Sequence, residues 1–251
     1  IGNKKIEDLK IVVIGAGAAG LAACEMYKAL GAKNIIVSDS KGPITTKRTD
    51  LNRYKEPWAV DMDISTLAEA MVDADVIVGN SVANCITQEM VQTLAPDAML
   101  FVMANPDPEI KPELALEVRP DLMIGTGRSD YPNQINNVLG FPYIFRGSLD
   151  VRAKAVNMEM KLAACHALAE LAKKPVPQYV KDAYNGADLK FNKEYILPKP
   201  FDRRVFVDVS VAVAKAAMDT GVARLNINIE EYKQSLINTL KEKEGIDYES
   251  K

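Results

Sequence analysis

The chain has 251 residues, of which 48% are hydrophobic and 26% are charged, as expected for a globular protein with a sizeable core. Its formal net charge of −3 argues against a nucleic-acid partner, and no apolar run approaches the roughly 20 residues that span a bilayer. We therefore predict a cytoplasmic protein with neither a membrane nor a nucleic-acid partner. Because the chain begins with Ile1 rather than Met, we expect it to be an excised piece of a longer protein.

The first element in chain order is a predicted strand over residues 10–14, whose β-branched run at 11–14 leads directly into a glycine-rich turn. Gly15 permits the tight turn, Gly17 lets the backbone approach a pyrophosphate, and Gly20 lets the following helix pack against the strand. Ala18 and Ala19 begin that helix, whose N-terminal N–H groups face the phosphates. The turn predicts a dinucleotide site, although other glycine-rich turns produce the same spacing.

A second short apolar strand, 34–37, is followed by Asp39, and this acidic residue strengthens the prediction. An acidic side chain about 20 positions after the glycines accepts hydrogen bonds from the hydroxyls of the adenosine ribose. A long polar loop follows over residues 41–63, with one helical turn near 51–54. Lys41 or Arg48 in this loop is an alternative ligand for a 2′-phosphate, which would convert an NAD site into an NADP site. Asp61 and Asp63 lack a third partner and are interpreted as solvated.

Helices and strands then alternate. The sequence predicts helices at 66–72, 87–94 and 111–118 and strands at 76–78, 99–103 and 122–124, with Thr87 as an N-cap. This alternation indicates an α/β fold with a Rossmann-type, doubly wound parallel sheet and helices on both faces. Ligands lie beyond the carboxyl ends of such strands, where Ser81 and Asn105 are found.

A segment rich in amide side chains, residues 133–137, follows the last predicted strand. Its asparagines either bridge a ligand to the backbone or stabilise ordinary turns, and composition alone leaves both interpretations open.

The remaining residues predict a carboxy-terminal helical extension. Helices are expected at 151–173, 205–218 and 229–243, with an irregular segment at 175–200. His166, the only histidine, lies beside an apolar stripe without a nearby catalytic partner and is interpreted as non-functional. The predicted division is a dinucleotide-binding domain over residues 1–224, including its closing helices, and a helical tail over residues 225–251.

Seven motifs together resemble the NAD(P)-binding domain of malic enzymes of the bacterial type. They are VIGAGAAG at 13–20, DSKG at 39–42, ANP at 104–106 with PEI at 108–110, GTGRSD at 125–130, PNQINNVL at 132–139, FRG at 145–147 and PFD at 200–202. The resemblance extends from about residue 10 to about residue 224. The GTGRSD and PNQINNVL motifs are far more specific than the glycine turn.

The resemblance implies oxidative decarboxylation of L-malate to pyruvate and CO2, with reduction of NAD or NADP and a requirement for Mg or Mn. It also implies a homodimeric parent protein. Asparagines that match Asn105 and Asn137 contact the substrate carboxylate and the nicotinamide end of the cofactor in that family. The expected cofactor-binding residues are Gly15, Gly17, Ala18, Ala19, Gly20, Asp39, Lys41, Ser81, Asn105, Asn136 and Asn137.

The general base lysine, the acid tyrosine and the acidic metal ligands of the family have no counterparts in this sequence. Asp61, Asp63 and His166 do not match those positions. We therefore expect no catalytic or metal-binding residue in this chain, and a separate amino-terminal catalytic domain as its partner. The chain is predicted to bind the cofactor without turning over malate.

Other functions remain open at this point. A malolactic-type enzyme shares this domain and converts malate to lactate without net cofactor reduction. A free-standing, non-enzymatic dinucleotide-binding module is a second alternative, and an amino-acid or shikimate-type dehydrogenase domain fits the sheet but not residues 133–137. Between the cofactors, NAD is slightly favoured because the charge of Asp39 would repel a 2′-phosphate.

Overall fold

The computed structural model describes residues 4 to 248. The chain divides into two compact units, Ile1–Ile135 and Asn136–Lys251, which we call the sheet unit and the helical unit. This division differs from the predicted boundary after residue 224.

The sheet unit contains a six-stranded sheet with the order β3-β2-β1-β4-β5-β6. All neighbouring strands are parallel except the short edge strand β3, which is antiparallel to β2. The predicted Rossmann-type sheet is thus confirmed, with one antiparallel strand that the sequence did not indicate. The strands are β1 Lys10–Ile14, β2 Asn34–Asp39, β3 Gly42–Pro43, β4 Val76–Gly79, β5 Met99–Val102 and β6 Met123–Thr126.

Both faces of the sheet are buried, as in other parallel sheets, which explains why the central strands β1, β2 and β4 contain continuous apolar runs rather than alternating apolar and polar residues. Val12 and Ile14 pack on one face, against residues of α2, α3 and α4, whereas Ile11 and Val13 pack on the other face with Cys24 of α1. The helices of this unit are α1 Ala18–Ala29, α2 Leu67–Met71, α3 Gln88–Gln92 and α4 Pro112–Val118.

Two of these short helices, α2 and α3, have side-chain N-caps. Thr66 and Glu69 form a capping box at α2. The Thr87 hydroxyl accepts a hydrogen bond from the Met90 N–H at α3, which confirms the predicted N-cap. The caps satisfy backbone donors that the first turn of a helix leaves unpaired.

The helical unit contains α5 Phe141–Asp150, α6 Met158–Lys173, α7 Gln178–Ala183, α8 Arg204–Asp219 and α9 Ile229–Glu244. Helix α5 was not predicted from the sequence. It packs closely on α8, since a Cβ added at Gly147 would lie 2.3 Å from the Ser210 carbonyl oxygen. Helix α6 begins later than predicted, because Arg152 has a φ of +50° and Asn157 caps the helix. The segment expected to be irregular contains α7.

The last helix is part of the core of the helical unit rather than a separate tail. Tyr232, Leu236 and Leu240 of α9 are buried in the same cluster as Val205 and Val213 of α8. This shared apolar surface places residues 225–248 in the unit that begins at residue 136. None of the helices between residues 4 and 248 is both long enough and apolar enough to span a membrane.

Candidate dinucleotide-binding site

The glycine turn joins β1 to α1 at the carboxyl edge of the sheet. Gly15 has a φ of +107°, and a Cβ there would lie 2.3 Å from the Asn80 carbonyl oxygen. A Cβ at Gly20 would lie 1.9 Å from the Gly15 carbonyl oxygen. The fold itself therefore requires glycine at both positions.

Gly17 differs from these two glycines because its surroundings are open. A Cβ added there would meet no atom within 4 Å. Gly17 is the N-cap of α1 and offers no side chain to cap it, and Ala18 and Ala19 at the start of the helix are exposed. An uncapped helix N-terminus beside open space fits the pyrophosphate of a dinucleotide, since its N–H groups are available to an anion.

Asp39 lies at the end of β2, and its carboxylate is held by two cations. Arg48 donates to both oxygens, at 2.8 Å to Oδ1 and 3.1 Å to Oδ2, and Lys55 Nζ donates to Oδ2 at 2.6 Å. The Lys41 N–H donates to Oδ1 at 2.9 Å. Burial by itself would raise the pKa of Asp39, but the hydrogen bonds from Arg48 and Lys55 hold it well below its usual value.

Arg48 and Lys55 differ in how many of their donors remain for a ligand. All five N–H donors of the Arg48 guanidinium are used, on Asp39, Asp50 and the Gly42 carbonyl oxygen. Lys55 uses one ammonium donor, on Asp39, within the described part of the chain. Arg48 therefore organises the cluster, whereas Lys55 keeps donors for a further group.

The cluster at the end of β2 carries an excess of positive charge. Lys41 Nζ pairs with Asp50 at 2.8 Å, so the cations Lys41, Arg48 and Lys55 face the carboxylates Asp39 and Asp50. Sequence reasoning identified Lys41 and Arg48 but missed Lys55. Nothing in the local pattern around Lys55 indicated its contact with Asp39, which lies 16 positions earlier.

A second carboxylate, Glu109, lies buried at the ends of β4 and β5, and sequence reasoning missed it as well. Its oxygens accept hydrogen bonds from the Ser81 N–H at 2.9 Å and the Ala104 N–H at 3.0 Å. The predicted site residues Ser81 and Asn105 are exposed on the two segments that Glu109 joins. The Asn105–Pro106 peptide bond is cis.

The amide-rich segment, residues 133–137, contains the last residues of the sheet unit and the first residues of the helical unit along the chain. Asn133 Nδ2 donates to the Ile124 carbonyl oxygen at 2.9 Å, and Asn136 Oδ1 accepts from the Val138 N–H at 2.9 Å, which caps a short 3₁₀ turn. These two side chains thus take part in backbone and turn chemistry. Asn137 begins the 3₁₀ turn and is exposed. Asn136 and Asn137 belong to the helical unit, and their contacts with cofactor and substrate stay predictions.

The residues that sequence reasoning set aside have ordinary surface environments. Asp63 pairs with Lys47 at 2.7 Å, Asp61 is exposed, and His166 is exposed on α6. Among residues 4–248, no three His, Cys, Asp or Glu side chains are grouped as a metal ion would require.

Comparisons with known proteins find relatives of this chain. A family model described as "Malic enzyme, NAD binding domain" matches residues 1–181. An NADP-dependent malic enzyme of Halomonas elongata is 51% identical over 226 residues, which cover 89% of this chain and 54% of that protein. An NAD-dependent malic enzyme of Rhizobium meliloti is 44% identical over 226 residues, 89% of this chain and 29% of that protein.

A solved structure extends the likeness to three dimensions. The crystal structure of the malic enzyme from Pyrococcus horikoshii matches 96% of this chain and 56% of that chain, with a TM-score of 0.79 and 33% identity. The chain spans between about a third and about half of the length of the curated relatives it matches. The chain therefore belongs to the malic enzyme family and carries its NAD-binding domain.

Proposed function

We propose that this chain is the dinucleotide-binding part of an enzyme that oxidatively decarboxylates L-malate. In this reaction the hydride on C2 of malate passes to the nicotinamide and the C2 hydroxyl gives up its proton. The C3–C4 bond then breaks to release the C4 carboxylate as CO2, and C3 takes up a proton to give pyruvate. The relatives are named malic enzymes, and the chain covers only part of their length. A homodimeric parent protein and a cytoplasmic location stay predictions.

The observation that carries this proposal is the open space at Gly17 beside the uncapped start of α1. Gly15 and Gly20 are explained by contacts within the fold, but Gly17 is not, because an added Cβ would touch nothing. A close approach by a ligand accounts for glycine there. We assign the catalytic groups to the part of the relatives that this chain does not cover. The chain itself then binds cofactor without turning over malate.

For the cofactor we propose NADP rather than the NAD that the ribose argument favoured. That argument assumed an Asp39 carboxylate free to accept ribose hydroxyls and to repel a phosphate. The carboxylate is instead paired with Arg48 and Lys55, which removes the repulsion. The unused donors of Lys55 and the net positive charge of the cluster support binding of a 2′-phosphate. The Halomonas elongata relative is named an NADP-dependent enzyme, which agrees with this proposal. The Rhizobium meliloti relative is named an NAD-dependent enzyme, so NAD is the alternative.

The test is a titration of this chain with NADPH and with NADH, followed by the fluorescence of the reduced nicotinamide. We expect NADPH to bind at least about tenfold more tightly, because a charge-assisted hydrogen bond contributes about 1.5–3 kcal/mol. Equal affinities would contradict the choice of NADP, and no binding of either would contradict a dinucleotide site. Malate-dependent formation of reduced cofactor by this chain alone would contradict its role as a partial enzyme.

A further inference from the structure

Glu109 is a completely buried carboxylate, with 0% of its surface exposed, at the edge of the sheet where the ligand is expected. Its two oxygens point to different segments. Oε1 accepts from the Ser81 N–H, just after β4, and Oε2 accepts from the Ala104 N–H, just after β5. A single side chain therefore joins the two segments that carry the predicted site residues Ser81 and Asn105.

The surroundings of Glu109 fix its position from two sides. A Cβ added at Gly79 would lie 2.4 Å from the Glu109 carboxyl carbon, so the absence of a side chain at Gly79 makes room for the carboxylate. The main chain of Glu109 is held too, because its carbonyl oxygen accepts from the Ile86 N–H at 3.0 Å. The carboxylate is thus held against β4 by packing as well as by its hydrogen bonds.

We propose that Glu109 is a positioning residue that sets the nicotinamide half of the cofactor site. This inference rests on the proposed function. Each half of a doubly wound sheet holds one mononucleotide, and the acidic residue at the end of β2 marks the adenosine side. The nicotinamide mononucleotide then falls to the half formed by β4, β5 and β6, where Glu109 fixes the relative positions of two neighbouring segments.

The chemistry of the contact explains why a carboxylate stands at this position. Two backbone N–H donors converge on one side chain, and an ionised carboxylate accepts at both oxygens. A glutamine of the same shape has one oxygen and one NH2 group, so it accepts from one segment and places a donor against the other. Glu109→Gln therefore breaks one of the two hydrogen bonds with little change in volume.

The experiment compares NADPH with adenosine 2′,5′-bisphosphate, which carries the adenosine side of NADPH but no nicotinamide. In Glu109→Gln we expect the affinity for NADPH to fall about tenfold, the effect of one unsatisfied buried donor. The affinity of this variant for adenosine 2′,5′-bisphosphate is expected to stay within about twofold of that of the original chain, because this ligand has no nicotinamide half. Glu117→Gln, an exposed substitution on α4, is the matched control and leaves both affinities unchanged.

The outcomes separate the positioning role from a general loss of structure. Equal losses for both ligands, or no loss for either, would overturn the role of Glu109. Failure of the unsubstituted chain to bind either NADPH or NADH would instead overturn the proposed function on which the role depends. If the unsubstituted chain binds NADH alone, the same comparison is made with NADH and adenosine 5′-monophosphate.

If Glu109→Gln does not fold, Glu109→Asp keeps the charge but shortens the side chain by one methylene. We then expect faster amide hydrogen exchange at Ser81 and Ala104 and the same selective loss of NADPH affinity. Unchanged exchange at both amides would overturn the proposal.

Discussion

Two carboxylates at the same edge of the sheet are held by different kinds of hydrogen-bond donor. Asp39, at the end of β2, is held by the side-chain cations Arg48 and Lys55. Glu109, at the ends of β4 and β5, is held by backbone N–H groups from Ser81 and Ala104. The first arrangement brings charge to the site and is suited to selecting a charged group. The second uses backbone donors from two loops and is suited to fixing the positions of two segments.

The largest effect is expected from Gly79→Ala, which tests whether the Glu109 carboxylate packs tightly against Gly79. The new methyl group would lie 2.4 Å from the carboxyl carbon of Glu109, and overpacking of this kind lowers the free energy of unfolding by up to about 3 kcal/mol. Urea unfolding measures the loss. Gly17→Ala is the control, because its methyl group would meet open space: its free energy of unfolding is expected to change by less than about 0.5 kcal/mol. Equal stabilities of Gly79→Ala and the original chain would show that Glu109 is not held as described.

A smaller effect, on binding rather than folding, is expected from Lys55→Gln. Glutamine retains a donor for Asp39 but removes the charge, so NADPH affinity should fall about tenfold while NADH affinity stays the same. Lys41→Ala is the matched comparison: this side chain is 67% exposed, and its loss should change NADPH affinity by only about twofold. Fluorescence titration with both cofactors measures the four affinities. A parallel fall for NADPH and NADH would assign Lys55 a structural role only.

The smallest effect is expected from the pH dependence of stability at Asp39. Because hydrogen bonds lower its pKa in the folded chain, its ionised form stabilises the fold above the unfolded pKa of about 3.9. That contribution is lost as the pH falls below about 4 toward the lower folded pKa. At neutral pH the free energy of unfolding of Asp39→Asn should therefore be lower than that of the original chain by an amount on the order of 1 kcal/mol. This difference in free energy of unfolding should be smaller near pH 3. Urea unfolding at several pH values measures this difference. If the difference did not change with pH, the charge of Asp39 would not stabilise the fold.

Local sequence was sufficient for the features whose cause is local. The strands β1 and β2, the glycine turn, the start of α1 and the cap at Thr87 all follow from side-chain branching, backbone freedom and capping over a few residues. The alternation of strands and helices then indicated a doubly wound sheet. These features also identified the edge of the sheet at which a dinucleotide was expected.

The tertiary structure decided the contacts that join distant segments. Helix α5 was missed because its sequence contains glycine and an early proline, and its stability comes from close packing on α8 at Gly147. The pairing of Asp39 with Lys55 and of Glu109 with Ser81 spans 16 and 28 positions. Such contacts cannot be predicted from periodicity or turn motifs, because they depend on which loops lie next to each other once the sheet has formed. The sequence by itself therefore predicted a dinucleotide site, and the fold decided which side chains select and position the ligand.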